Sequence, residues 1–300
     1  MNCAFVNNMP DGAFDATERQ FLDLVDRGSG STTIEVQRYA MSGVPRGERV
    51  AARIAKEYSP LEELRGKRPD LLLVTGANPA EPQIENELFF DDLAELLIWG
   101  AENVHSMLLS CLTAHAALTI FDGAKRENLA QKCTGVFCQT VDLSHPLAAG
   151  LETEVSLPHS RWNTVARDAV LDAGYRIALH SDDVGWSVAT KSIGIANVVL
   201  IQGHPEYDAT SLLREYRRDA YRYVHHERDE LPCLPRDCVA PEDWPHLVEL
   251  HMAITGAQRD PELVEAYPFD EVGARATRSW AEVADRLYAN WLSGVTVRSA

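Results

Sequence analysis

The sequence has little of what marks a membrane, secreted or nucleic-acid-binding protein. No apolar run approaches the roughly 18 residues needed to cross a bilayer. The opening MNCAFVNNMPDG has neither the basic nor the apolar part of a secretion signal, so a cytoplasmic protein is expected. Basic residues are few: 28 Lys and Arg face 45 Asp and Glu, a formal charge of −17 over 300 residues. Such a field repels phosphate and argues against general affinity for nucleic acid or anionic membrane, and an anionic ligand would need a local basic pocket. Six cysteines (Cys3, Cys111, Cys133, Cys138, Cys233, Cys238) are too sparse for a disulfide scaffold, so each reads as core filler, metal ligand or nucleophile. No Gly-x-Gly-x-x-Gly or Walker A sequence points to a dinucleotide cofactor or nucleotide hydrolysis. Internal repeats, low-complexity tracts and a clear interdomain linker are also missing.

What is present is a globular composition, 45% hydrophobic and 24% charged. Short β-branched or aliphatic runs alternate with segments of helical period, the pattern of a mostly parallel sheet covered by helices on both faces. Strands are expected at 3–7, 33–39, 70–75, 105–110, 135–140, 175–180, 187–190 and 197–202. Helices are expected from about 18 to 28, and at 48–58, 88–99, 112–121, 209–226 and 281–292. The expected fold class is therefore α/β, three-layer αβα, as a single domain over 1–300. A Pro-rich excursion interrupts it at about 227–275, where residues 231–245 alone hold four prolines, and a C-terminal helix closes it.

Two segments carry chemistry. In HSMLLSCLTAHAAL a buried strand ends at Cys111 and a helix of small residues starts at once. Such an elbow presents a side chain at the carboxyl edge of the sheet, and the adjacent helix N-terminus favours a thiolate and an oxyanion. In NVVLIQGHPEYD a second apolar strand delivers His204 to the same edge, with Glu206 close enough in sequence to bond the ring nitrogen that faces away from Cys111. A thiol, an imidazole base and an orienting carboxylate are what covalent acyl transfer needs.

These residues sit in a wider pattern: Asn8-Met9-Pro10 with Thr17-Glu18, Val74-Thr75-Gly76-Ala77, Cys111 with Ala116-Ala117-Leu118, Lys132 with Gly135-Val136, and Pro158-His159-Ser160-Arg161. Gly203-His204-Pro205-Glu206-Tyr207-Asp208 follows, then Glu215-Tyr216, Arg218-Asp219 and a C-terminal Ala289-Asn290-Trp291-Leu292. In this order they resemble the homoserine O-succinyltransferase/O-acetyltransferase family of methionine biosynthesis, whose fold is flavodoxin-like and related to class I glutamine amidotransferases. The resemblance implies Cys111 as acyl-accepting nucleophile, His204 as general base and Glu206 as its partner. It implies that Arg218, Ser160 and Arg161 hold the amino-acid substrate and that Lys132 lies near the acyl donor. The backbone of Leu112 and of the Gly76-Ala77 loop would stabilise the oxyanion. An acyl-CoA is then a co-substrate, a small hydroxy amino acid the acceptor, no further cofactor or metal is needed, and a homodimer is implied.

Three positions depart from the family. Asp11 and Gly12 stand where a lysine follows Asn-Met-Pro, Leu112 replaces a tryptophan, and the loop after Ala77 reads Asn78-Pro79-Ala80-Glu81. In the family a residue of that loop sorts succinyl from acetyl donors. An ungapped reading places Ala80 there and a reading with Asn78 inserted places Glu81, so the acyl group stays open, as does serine in place of homoserine. A glutaminase using the same three residues and a non-catalytic protein of the same fold are the other readings. Outside this pattern, His225, His226, Cys233 and Cys238 have zinc-type side chains but not a zinc-type spacing. Cys133 and Cys138 are expected to pack around their strand, and His115 and His159 are expected to be structural.

Overall fold

The computed structural model describes residues 1–81, 83–256 and 259–296. Its strands are β1 (Asn2–Val6), β2 (Glu35–Tyr39), β3 (Leu71–Val74), β4 (Ser106–Ser110), β5 (Glu127–Val141), β6 (Glu154–Thr164), β7 (Arg176–Ser181), β8 (Gly185–Ile193) and β9 (Ala196–Ile201). Its helices are α1 (Asp11–Ser29), α2 (Glu48–Glu57), α3 (Leu61–Lys67), α4 (Phe90–Asn103), α5 (Leu112–Asp122), α6 (Arg167–Asp172), α7 (Ser211–Val224), α8 (Trp244–Ile254), α9 (Pro261–Ala266), α10 (Phe269–Arg275) and α11 (Ala281–Thr296). The strands form one sheet in the order β2-β1-β3-β4-β9-β8-β7-β5-β6. Pairing is parallel from β2 to β9 and antiparallel from β9 to β6. The fold is thus α/β with a large mixed sheet, its parallel part matching the strand–helix alternation of the sequence.

Period-two alternation splits the core in two. Cys3, Phe5, Leu71, Leu73, Leu108, Val199 and Ile201 face one layer, where they pack with side chains of α1, α7, α8, α9, α10 and α11. Ala4, Val6, Leu72, Val74, Met107, Leu109, Val198 and Leu200 face the other, with α3, α4, α5 and α6. Strands buried on both sides read as uninterrupted apolar runs, which is why β3 (LLLV) and β9 (ANVVLI) were legible. None of the helices among the described residues is long and apolar enough to cross a membrane.

The largest differences from expectation lie in two parts. β6 was not anticipated because Pro158, His159 and Arg161 break its apolar pattern; it is the edge strand, where a proline costs no ladder bond that the sheet needs. β5 is far longer than 135–140 and meets β7 only at Thr140 and Val141, so most of it pairs with β6 as a two-stranded ribbon. The stretch 227–275 is irregular through Asp243 and then carries α8, α9 and α10. Its Arg236 docks onto the ribbon: Val136 N donates to Arg236 O at 2.9 Å and Arg236 N to Thr134 O at 3.2 Å. Gly135 permits this approach, having φ of 138° and room for no side chain, since a Cβ there would lie 2.5 Å from Arg236 N.

Candidate active site

The site gathers where β3, β4 and β9, three neighbouring parallel strands, end at the same edge of the sheet. β4 leads straight into Cys111, whose φ of 49° and ψ of −110° form the sharp elbow before α5. For a residue with a side chain this backbone region is strained, costing of order 1–3 kcal/mol. The elbow is held from both sides, Cys111 N donating to Ile201 O at 2.7 Å and His115 N to Cys111 O at 3.2 Å. Leu112, as first residue of α5, has no intrahelical acceptor for its N–H. Gly76, at the end of β3, comes so close that a Cβ on it would lie 3.3 Å from Cys111 Cβ and 3.5 Å from Leu112 N. Two backbone segments therefore converge beside the thiol, an arrangement able to receive an oxyanion.

β9 delivers His204, buried, with its backbone N–H donating to Pro158 O at 2.8 Å. Its Nδ1 and Glu206 Oε1 are 2.7 Å apart, and its ring stacks on Tyr207 with centroids 4.3 Å apart. Burial disfavours a charge on this ring, yet the Glu206 carboxylate and the Cys111 sulfur together hold its pKa well above the usual value. Nε2 is buried without a hydrogen-bond partner, and its ring interacts electrostatically with the Cys111 sulfur as well as with the carboxylate. The loop is locked from behind: Arg278 Nη2 donates to Pro205 O at 2.8 Å and Trp280 Nε1 to Tyr207 O at 3.1 Å. This gives the C-terminal region a structural reason to carry large residues.

The other candidates divide around this centre. On the histidine side, Glu215 accepts from Tyr207 Oη at 2.5 Å, from Ser160 Oγ, and from Lys132 Nζ at 3.3 Å. Lys132 also reaches Asp219 at 2.9 Å, and Arg218 donates twice to the same Asp219, at 2.9 and 2.8 Å. Burial opposes ionisation of Glu215, but the Lys132 charge and the Ser160 and Tyr207 hydroxyls pull its pKa below the ordinary carboxylate range. Lys132, expected near the donor, is thus tied into the network that contains Arg218 and Ser160.

On the other side lies Arg161, buried on β6, donating to Asn163 O at 3.0 Å and Val184 O at 2.6 Å. Arg126, just before β5, bonds Asn163 Oδ1. Ala80 and Glu81 are both exposed, and their N–H groups donate to Oε1 of the buried Glu87 at 2.7 and 2.9 Å. That carboxylate, rather than any side chain of 78–81, closes the loop.

Three further features were not assigned from the sequence. Glu215 and Asp219 lie one helical turn apart on α7, a pair of acids on one face that needs a cation between them, which was a readable signal. Arg126, within Lys125-Arg126-Glu127, looked like any solvated run. Arg46 grips the Asn8-Met9-Pro10 segment, donating to Asn7 O at 3.1 Å and to Met9 O, close to where the family's lysine would stand. His115 is buried against Gln202 Oε1 at 2.8 Å, and burial pushes its pKa down to about 3. His159 is buried with Ser187 Oγ at 3.0 Å and is likewise held neutral by burial. Cys133 is half-buried on the ribbon, whereas Cys138 is exposed instead of packed. Among the described residues no three His, Cys, Asp or Glu side chains are grouped to hold a metal.

A family model described as homoserine O-succinyltransferase matches residues 1–299. A homoserine O-succinyltransferase of Methylorubrum extorquens is 37% identical over 300 residues, covering all of this chain and 88% of the relative. One from Thiothrix nivea is 35% identical, covering 98% and 82%. Among solved structures, a glutamine amido transferase from Methylobacillus flagellatus shares the fold with a TM-score of 0.50 at 12% identity, covering 98% of this chain and 94% of that one.

Proposed function

This chain belongs to the homoserine O-succinyltransferase family, and on that footing we propose that it moves a succinyl group from succinyl-CoA, through Cys111, to the hydroxyl of L-homoserine. The observation that carries the reading is the alignment of Cys111, His204 and Glu206 at one sheet edge, with the imidazole between a sulfur and a carboxylate. The choice of succinyl follows the names of the relatives.

In the first half-reaction the Cys111 thiolate attacks the thioester carbonyl carbon, and the oxyanion faces the N–H of Leu112 and the Gly76-Ala77 backbone. As the tetrahedral species collapses, the C–S bond to coenzyme A breaks and His204 gives its proton to the departing sulfur. The imidazole is now neutral. In the second half-reaction it takes the proton of the homoserine hydroxyl, whose oxygen attacks the acyl-cysteine; collapse expels the Cys111 thiolate beside the re-formed imidazolium. Glu206 fixes the ring and compensates its charge in both halves. Arg218, with Ser160 and Glu215 near it, supports recognition of an α-amino acid, because a guanidinium suits the carboxylate and Glu215 suits the ammonium.

Intact mass spectrometry after mixing the protein with succinyl-CoA in the absence of homoserine tests the covalent route. A succinyl increment on Cys111 that homoserine discharges is expected. No increment, or ammonia released from glutamine without acyl transfer, would defeat the reading in favour of an amidase.

A further inference from the structure

Resting on that reading, we propose that Arg126 binds the free carboxylate of the acyl group and so selects a dicarboxylic over a monocarboxylic donor. Nothing in the pattern of the sequence assigns this residue a role. Its guanidinium has one protein partner, Asn163 Oδ1 through Nη2, while its Nε and Nη1 atoms are shielded from solvent without any partner. Among the described residues it forms no ion pair. Shielded guanidinium donors left empty are costly, and a carboxylate fits one of them together with the second hydrogen on Nη2.

The position tells which carboxylate. The charge of Arg126 acts with the Cys111 sulfur and with Glu87 and Glu85 of the loop after β3. That of Arg218 acts with Asp219, Glu215 and Tyr207. The sulfur is therefore flanked by two cationic zones. The acceptor hydroxyl has to reach the His204 imidazole, which puts the acceptor's charges on the Arg218 side. The acyl chain hangs from the sulfur and extends away from the imidazole, toward the loop and Arg126.

Asn163 makes the zone rigid. It takes the Arg126 bond on its side-chain oxygen and an Arg161 bond on its main-chain oxygen, and its amide nitrogen bonds Asn128 Oδ1 across the ribbon. Glu87, the nearby carboxylate, accepts the N–H groups of Ala80 and Glu81 on Oε1 and forms no ion pair with Arg126 among the described residues. The loop thus holds one oxygen of its own acid on its backbone, and the Arg126 donors stay open.

The test is single-turnover acylation of Cys111 by succinyl-CoA and by acetyl-CoA in wild type, Arg126→Gln and Arg126→Lys. The Gln variant should lose roughly 10- to 100-fold in the succinyl rate constant, the range for a lost charged hydrogen bond. The acetyl rate should change by less than about 3-fold, and Lys should restore part of the succinyl rate. An unchanged succinyl-to-acetyl ratio, or an equal fall in both, overturns the proposal while the acyl-enzyme itself stands. If wild type is acylated by neither donor, the reaction proposed above fails and this inference falls with it. Should the Gln variant not fold, wild type gives the answer: free succinate should slow alkylation of Cys111 by iodoacetamide more than butyrate does, and equal effects would overturn the assignment.

Discussion

The parallel and antiparallel halves of the sheet contribute to the site in different ways. The parallel half supplies the groups to which the proposed reaction assigns the chemistry: Cys111 after β4, the Gly76 backbone after β3, His204 and Glu206 after β9. Each is positioned by a strand buried on both faces, so its placement is accurate without help from the ligand. The antiparallel half and the ribbon supply holding groups, Arg126, Lys132, Ser160 and Arg161, which are long or exposed-edge side chains tied into polar networks. On the proposed function, reaction chemistry and substrate choice fall to separable parts of one sheet.

Two substitutions break the comparison most directly. Cys111→Ala should lower acyl transfer to every donor and acceptor by on the order of 10⁴-fold or more, since the nucleophile acts as a unit with its base. Alanine takes the same strained elbow as cysteine, so urea unfolding should shift by no more than about 1 kcal/mol. Retained turnover would remove the covalent route. Arg218→Ala, on the histidine side but outside the reacting centre, should raise the homoserine KM roughly 10- to 100-fold while leaving single-turnover acylation of Cys111 near wild type. An equal loss in both half-reactions would place Arg218 in the structural network of Asp219 instead.

The same division governs how much was legible in the sequence. Strands β3, β4 and β9 and the elbow at Cys111 announce themselves because double burial forces apolar runs with abrupt ends. β6 hides because an edge strand tolerates Pro158 and has to satisfy only one face. With it went the neighbourhood of Ser160 and Arg161: the residues were recognised through the family pattern, but their partners Glu215 and Val184 come from elements distant in sequence. Arg126 was invisible for a plainer reason. Exposure separates a solvated arginine from one with stranded donors, and neither composition nor spacing carries that quantity.

The smallest expected effect sets two buried histidines of the two halves against each other. His204, after β9, is held well above its ordinary pKa although burial opposes it, because Glu206 and Cys111 favour the cation. His159, on β6, is held well below by burial and by the Arg161 and His204 charges. A histidine whose folded pKa is raised adds stability that is fully present below the unfolded value of about 6.5 and is lost as pH rises through the folded value. Glu206→Gln removes the principal group that raises it. The melting temperature of wild type should therefore exceed that of Glu206→Gln most near pH 6 and by progressively less above neutrality; His159, neutral when folded but titrating near about 6.5 when unfolded, affects both proteins alike and cancels from the difference. A gap independent of pH would mean that Glu206 only positions a neutral ring, and the half-reactions would then have to begin from an uncharged thiol–imidazole pair.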